Sequence, residues 1–284
     1  MIVAETPDAY RFVTQPEHGG QVGRFAEAWG TDRFATPSPR APVVMAAALH
    51  DAGWYDYDIA PHLVDGDPAS VLETRREEWT AFYERGIENV IERDPYAGLL
   101  CSMHGAGVRR RRYGTHADLP DSSEAFAAFI NEQEATQRAL VDRLADADCD
   151  SDHVGEEDRV ALSRLHDGTL PGVESGVFRN YRLLQTWDRL SLYCCTTVDH
   201  APTTIGSVPI APGDADTQLA IEPFDGETVA LDPFPFGTSP LSAPVRARTV
   251  RRDAFETGDE RDLVRAYFAA PVETVEFSFV PRDS

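Results

Sequence analysis

The sequence predicts a mostly α-helical body, roughly residues 1–200, with a β-rich layer, 201–284, packed on it. Three observations support that class. Apolar residues recur at helical spacing through most of the first two thirds of the chain. From about residue 200 the pattern changes to short alternating runs broken by Pro, Gly and Asp, which are strand and hairpin signals. No apolar run reaches the roughly 18 residues of a membrane span.

The elements follow in order. "EHGGQVGRFAEAWG" places Val22, Phe25, Ala26 and Trp29 on one helical face and stops at Gly30. "SPRAPVVMAAALHDAGW" opens after prolines and runs as an Ala-rich helix to Gly53. Residues 55–71 carry Pro61, Gly66 and Pro68 and form an acidic loop. Trp79, Phe82, Tyr83, Ile87 and Val90 define an amphipathic helix from Arg75 to about Arg93. "DPYAGLLCSMHGAG" begins another helix and ends at Gly105. A long helix follows, capped by Asp121 or Ser122, and after a polar link comes "VFRNYRLLQTWDRLSLYCCTTV". The strand-like runs are "APTTIGSVPIAPGD", "QLAIEPFDGETVALDPFPFG", "APVRARTVRRDAF" and "VETVEFSFVPRD".

The formal charge is −22 over 284 residues, and all 26 basic residues are arginine. A surface this acidic repels duplex nucleic acid and anionic membranes, and matches the solvated acidic surfaces of salt-adapted proteins. "MIVAETPDAYRF" has no basic stretch leading into an apolar one, so a cytoplasmic location is expected. The four cysteines show no CxxC spacing, which argues against a structural zinc site or a disulfide framework. A homo-oligomer is compatible with the sequence.

Chemistry concentrates at four places. His18 opens the first helix, His50 and Asp51 end the second, His104 lies in "LLCSMHGAG" and Asp188 in "LLQTWDRLSLY". Their neighbours predict burial, and an ionised aspartate in such a setting costs several kcal/mol unless a cation or strong donor compensates it. A shared divalent transition metal would do so. Imidazole and carboxylate ligands suit Mn, Fe, Ni, Co or Zn, as one ion or two.

The order His, His-Asp, Asp on successive helices resembles the HD-domain metal-dependent phosphohydrolases, a helical-bundle superfamily. "ALHDAGW" is similar to the end of their doublet helix and "WDRLSL" to their final aspartate helix. The chain further resembles an uncharacterised bacterial and archaeal branch that combines HDxGW, SxHG and WDxLSL elements. The resemblance covers about residues 10–200 and implies that His18, His50, Asp51 and Asp188 bind metal. It implies His104 as a further ligand or an acid/base group, and a metal-bound water acting on a phosphate ester or nucleotide. The interval from Asp51 to Asp188 is long for that superfamily.

Asp58 is a candidate catalytic or ligand-orienting group, against a solvated acidic loop residue. Arg109 and Arg110, in "GVRRRRY", could clamp phosphate or simply balance charge. Trp54 could be a substrate platform or a core anchor, and "DPFPFG" a source of specificity at the pocket mouth. Two other functions fit the same residues: an HD-like di-iron oxygenase, and a non-catalytic nucleotide- or partner-binding protein.

Overall fold

The computed structural model describes residues 1–109, 122–146, 153–169, 171, 175–225, 227–255 and 258–282. The helical elements stand close to where apolar spacing predicts them. They are α1 (Gln15–Ala28), α2 (Arg40–Leu49), α3 (Arg76–Arg93), α4 (Pro95–Arg109), α5 (Ala127–Ala145), α6 (Glu156–His166), α7 (Gly176–Cys195) and α8 (Glu260–Ala269). Two boundaries differ. α4 runs on through Gly105 to Arg109, because its surroundings bury the glycines on a packed face, and α5 starts after Phe126. α6 and α8, both short and strongly charged, interrupt regions read as a polar link and as strand.

The expected mostly α-helical, HD-like bundle is corrected by the strands. The chain is an α/β mixture whose described strands form sheets of four, five and two. β1 (Ile2–Glu5) and β2 (Ala9–Val13) precede the first helix, in a stretch too short for alternation to stand out. β2 pairs antiparallel with β9 (Val245–Arg251), which pairs in turn with β10 (Glu273–Val275), giving the order β1-β2-β9-β10. β3 (Leu63–Val64) and β4 (Asp67–Pro68) form a small hairpin. The five-stranded sheet has the order β5-β6-β7-β11-β8, from β5 (Thr203–Val208), β6 (Thr217–Pro223), β7 (Thr228–Asp232), β8 (Leu241–Ser242) and β11 (Ser278–Pro281). In it β11 and β7 are parallel and the other pairs antiparallel.

One apolar core joins the helices to the five-stranded sheet. Trp29 packs edge-on against Phe34, Trp187 and Phe236, and Phe25 stacks on Phe236. Phe236, from "DPFPFG", is therefore an anchor of the core. A smaller cluster, including Phe12, Val250, Leu263 and Tyr267, lies between the four-stranded sheet and α8.

Two close approaches position the helices that carry the ligands. A Cβ on Gly19 of α1 would lie 2.6 Å from the Ala48 carbonyl oxygen, so α1 and α2 touch through backbone. A Cβ on Gly53, just past the His-Asp doublet, would lie 1.7 Å from the Phe82 carbonyl oxygen of α3. Only glycine lets the turn after Asp51 press against α3. Gly53→Ala is expected to destabilise the fold by about 3 kcal/mol through enforced displacement of α3, read as a lower urea midpoint.

Candidate metal centre

His18 lies in the first turn of α1, His50 caps the C-terminus of α2, His104 lies within α4 and Asp188 within α7. Asp51 has already left the helix, at φ −113° and ψ 22°. The doublet therefore acts from a helix end rather than from consecutive positions along a helix face. All five side chains are buried, none more than 8 % exposed.

The hydrogen bonds of the ring nitrogens decide what these histidines can do. His50 Nδ1 lies 2.9 Å from the Ala47 carbonyl oxygen, which only accepts, so Nδ1 carries the proton. His18 Nδ1 meets Ser191 Oγ at 2.8 Å. Ser191 donates its own proton to Gln21 Oε1 at 2.7 Å, and the Gln21 amide nitrogen donates to the Ala243 carbonyl at 2.7 Å. Ser191 must then accept from His18 Nδ1–H. Both neutral rings thus turn an Nε2 lone pair inward.

Those lone pairs face carboxylates. His18 Nε2 lies 3.0 Å from Asp188 Oδ1, and His50 Nε2 lies 3.6 Å from the same oxygen and 3.4 Å from Asp51 Oδ2. His104 Nε2 is 3.8 Å from Asp51 Oδ1. Acceptors facing acceptors in a buried cluster are relieved by a proton or a metal ion between them. These spacings approach the roughly 3.0–3.5 Å between neighbouring ligands of one ion at about 2.1 Å bond lengths. Two donor groups, His18–His50–Asp51 and His50–His104–Asp188, each have their ligand atoms within 4.8 Å of one another. His50 Nε2 is buried without a hydrogen-bond partner, a vacancy suited to a ligand bond. The buried His/Asp groups can hold a metal ion.

The electrostatics agree. Burial alone would lower the His50 pKa, but the Asp51 and Asp188 carboxylates overcome it and push the ring up to about 9. Tyr83 on α3 donates to Asp51 Oδ1 at 2.6 Å, and burial followed by the Asp51 charge raises its phenol well above the ordinary value, so the proton stays. At His104 Nδ1 the Gln185 amide nitrogen lies 2.8 Å away. As placed it donates, and Nε2 keeps a proton facing Asp51; rotated by 180°, it accepts and Nε2 becomes a ligand.

A cavity of about 250 Å³ opens on this cluster. His18, Asp51, His104 and Asp188 line it together with Trp79 and Tyr83. The remaining candidates lie elsewhere. Asp58 is buried, with Oδ1 2.5 Å from the Met1 amino nitrogen and Oδ2 accepting the Gln15 N–H at 2.6 Å. It anchors the start of α1, which has no cap from its own Thr14, and burial raises its carboxyl pKa. Trp54 is fully buried against Tyr57, Phe82 and Tyr83. Arg109 holds its guanidinium over the Trp79 and Phe126 rings, at 4.1 and 4.2 Å. Arg110 lies outside the described residues. Tyr83, Gln21, Ser191 and Gln185 were not singled out from sequence, where each reads as an ordinary helix residue.

Comparison with known families then fixes the relationship. A family model described as "Protein of unknown function (DUF3891)" matches residues 1–252. The chain belongs to this DUF3891 family. No curated protein and no solved structure matches it. The match runs through β9, so the family's shared region takes in the ligand-bearing helices and most of the strands, while α8, β10 and β11 lie beyond it. Among the described residues no helix is long and apolar enough to cross a membrane.

Two outcomes follow from the geometry. Ser191→Ala and Gln21→Leu should each weaken divalent metal binding about 10- to 100-fold, measured by competition with a chromogenic chelator, because His18 loses its imposed tautomer. The His50 pKa lies above its unfolded value of about 6.5, so in metal-free protein its proton contributes stability that is fully present below that pH. That contribution is lost as the pH rises through about 9. Chelator-treated protein should lose urea resistance across this window, and His50→Gln should flatten the slope.

Proposed function

We propose that the protein is a metal-dependent hydrolase of the HD type acting on a phosphate ester. The observation behind this reading is the meeting of His18, the His50–Asp51 doublet and Asp188 on α1, α2 and α7, in the order the HD superfamily uses. His18 Nε2 and Asp188 Oδ1, 170 residues apart in sequence, come within 3.0 Å. The donor set suits Mn, Fe, Ni, Co or Zn, held by His18, His50, Asp51 and Asp188, with His104 able to join them. When bound, such an ion polarises a phosphoryl oxygen and brings the pKa of water to about 7.

The chain's own groups supply the rest. Tyr83 fixes Asp51 through its hydroxyl, and the Ser191–Gln21 pair fixes His18. With Gln185 donating to Nδ1, His104 presents Nε2–H into the cavity and can protonate a leaving oxygen. Water adds to phosphorus, the bond from phosphorus to the alcohol oxygen breaks, and the alcohol departs with a proton. A second reading, a two-iron oxygenase, would use His104 as a ligand of the second iron, and iron content and oxygen uptake are the measurements for it.

Elemental analysis of purified protein should find one or two transition-metal ions per chain. The His50→Ala, Asp51→Ala double variant should lose that metal and all metal-dependent phosphoesterase activity. Unchanged metal content in the double variant would overturn the proposal.

A further inference from the structure

We propose that the substrate presents an apolar group beside a small anion, as in an aryl or alkyl phosphate monoester, rather than a nucleotide polyphosphate. The inference rests on the hydrolase reading and narrows it.

The cavity wall carries the argument. Beyond the metal-binding side chains, the lining is Trp79, Tyr83, Val108, Leu192, Val71 and Ile2, with a few neutral polar groups. The Trp79 and Tyr83 rings lie 4.2 Å apart at 33°, forming a continuous aromatic wall beside Asp51. The edges that such rings turn to a cavity take aryl groups in edge-on contact. Among the described residues no arginine lines the cavity. Arg109 holds its charge against the Trp79 and Phe126 rings.

Charge balance points the same way. Asp51 and Asp188 together offset one divalent ion, and neutral histidines add nothing. A single-ion centre is then about neutral and a two-ion centre about +2. A triphosphate brings roughly four negative charges, which phosphate sites ordinarily meet with arginine and lysine. A monoester brings at most two. The volume of about 250 Å³ also lies below the roughly 300–1,000 Å³ of pockets for drug-sized ligands.

The test separates binding from turnover. Phenylphosphonate and methylphosphonate carry the same head group and are not phosphate esters. Calorimetric titration of Mn²⁺-loaded protein should show phenylphosphonate binding at least about tenfold more tightly, from burial of the ring. Leu192→Gln and Val108→Gln change half-buried wall positions and should reduce that ratio below about threefold without changing metal content. Equal affinities for the two phosphonates overturn the inference. In turnover with excess metal, kcat/KM for phenyl phosphate should exceed that for dGTP at least about tenfold. Faster hydrolysis of dGTP overturns the substrate class and leaves the hydrolase reading intact. Preference for phenylphosphonate with no turnover of any ester supports the ligand class and overturns the hydrolase reading.

Discussion

The structure depends on a buried meeting of carboxylates and imidazoles that a proton or a metal ion can bind together. Two buried carboxylates face imidazole nitrogens whose opposite sides are tied, at His50 by the Ala47 carbonyl and at His18 by Ser191. An ionised carboxylate out of water costs several kcal/mol, and a neutral imidazole lone pair offers it no relief. A proton or a metal must lie among them. The strong proton affinity of His50 and the metal-like spacing of its neighbours are two expressions of that demand. His50 also ends α2, where the aligned peptide dipoles favour positive charge.

Holding such a cluster together sets the requirements on the fold. The ligands come from α1, the end of α2 and the turn after it, α4 and α7, and contacts outside the cluster hold the first three. Glycine contacts press α1 on α2 and the doublet turn on α3. Asp58 accepts the first amide of α1, placing a negative charge at the positive end of that helix. The pairing of β2 with β9 fixes the chain just before α1 begins. The sheets that displace the expected bundle are thus part of how His18 reaches Asp188.

The legible part of the site was the part that breaks a local rule. His18, His50, Asp51, His104 and Asp188 stand out because charged or titratable groups interrupt apolar helices, and a polar residue in such a place needs a reason. Tyr83 breaks no rule: an amphipathic helix is expected to carry a buried tyrosine, and only its 2.6 Å bond to Asp51 gives it a role. Ser191 and Gln21 are small or neutral enough to pass as unremarkable helix positions. Asp58 was visible as an acid near the doublet, yet its direction, toward the Gln15 amide and the Met1 amino group, is set by tertiary contacts. The helices were readable from their period, whereas β1, β2 and the two-sheet division depend on pairings between chain ends that no local window contains.

The β-rich C-terminal region raises a different question, since among the described residues none beyond Thr196 lines the cavity. "DPFPFG" sends Phe236 into the core, where it packs edge-on against Trp29. Besides the β2–β9 pairing, the region reaches the centre through a backbone carbonyl. Ala243 accepts from the Gln21 amide, which orients the Gln21 oxygen toward Ser191, which leaves Ser191 able only to accept from His18. Without that carbonyl the Gln21 amide is free to turn, Ser191 can reverse, and His18 can place its proton on the nitrogen that faces Asp188. The link between β8 and β9 therefore supplies a fixed dipole behind the centre, and that dipole sets which nitrogen of His18 is available to a metal.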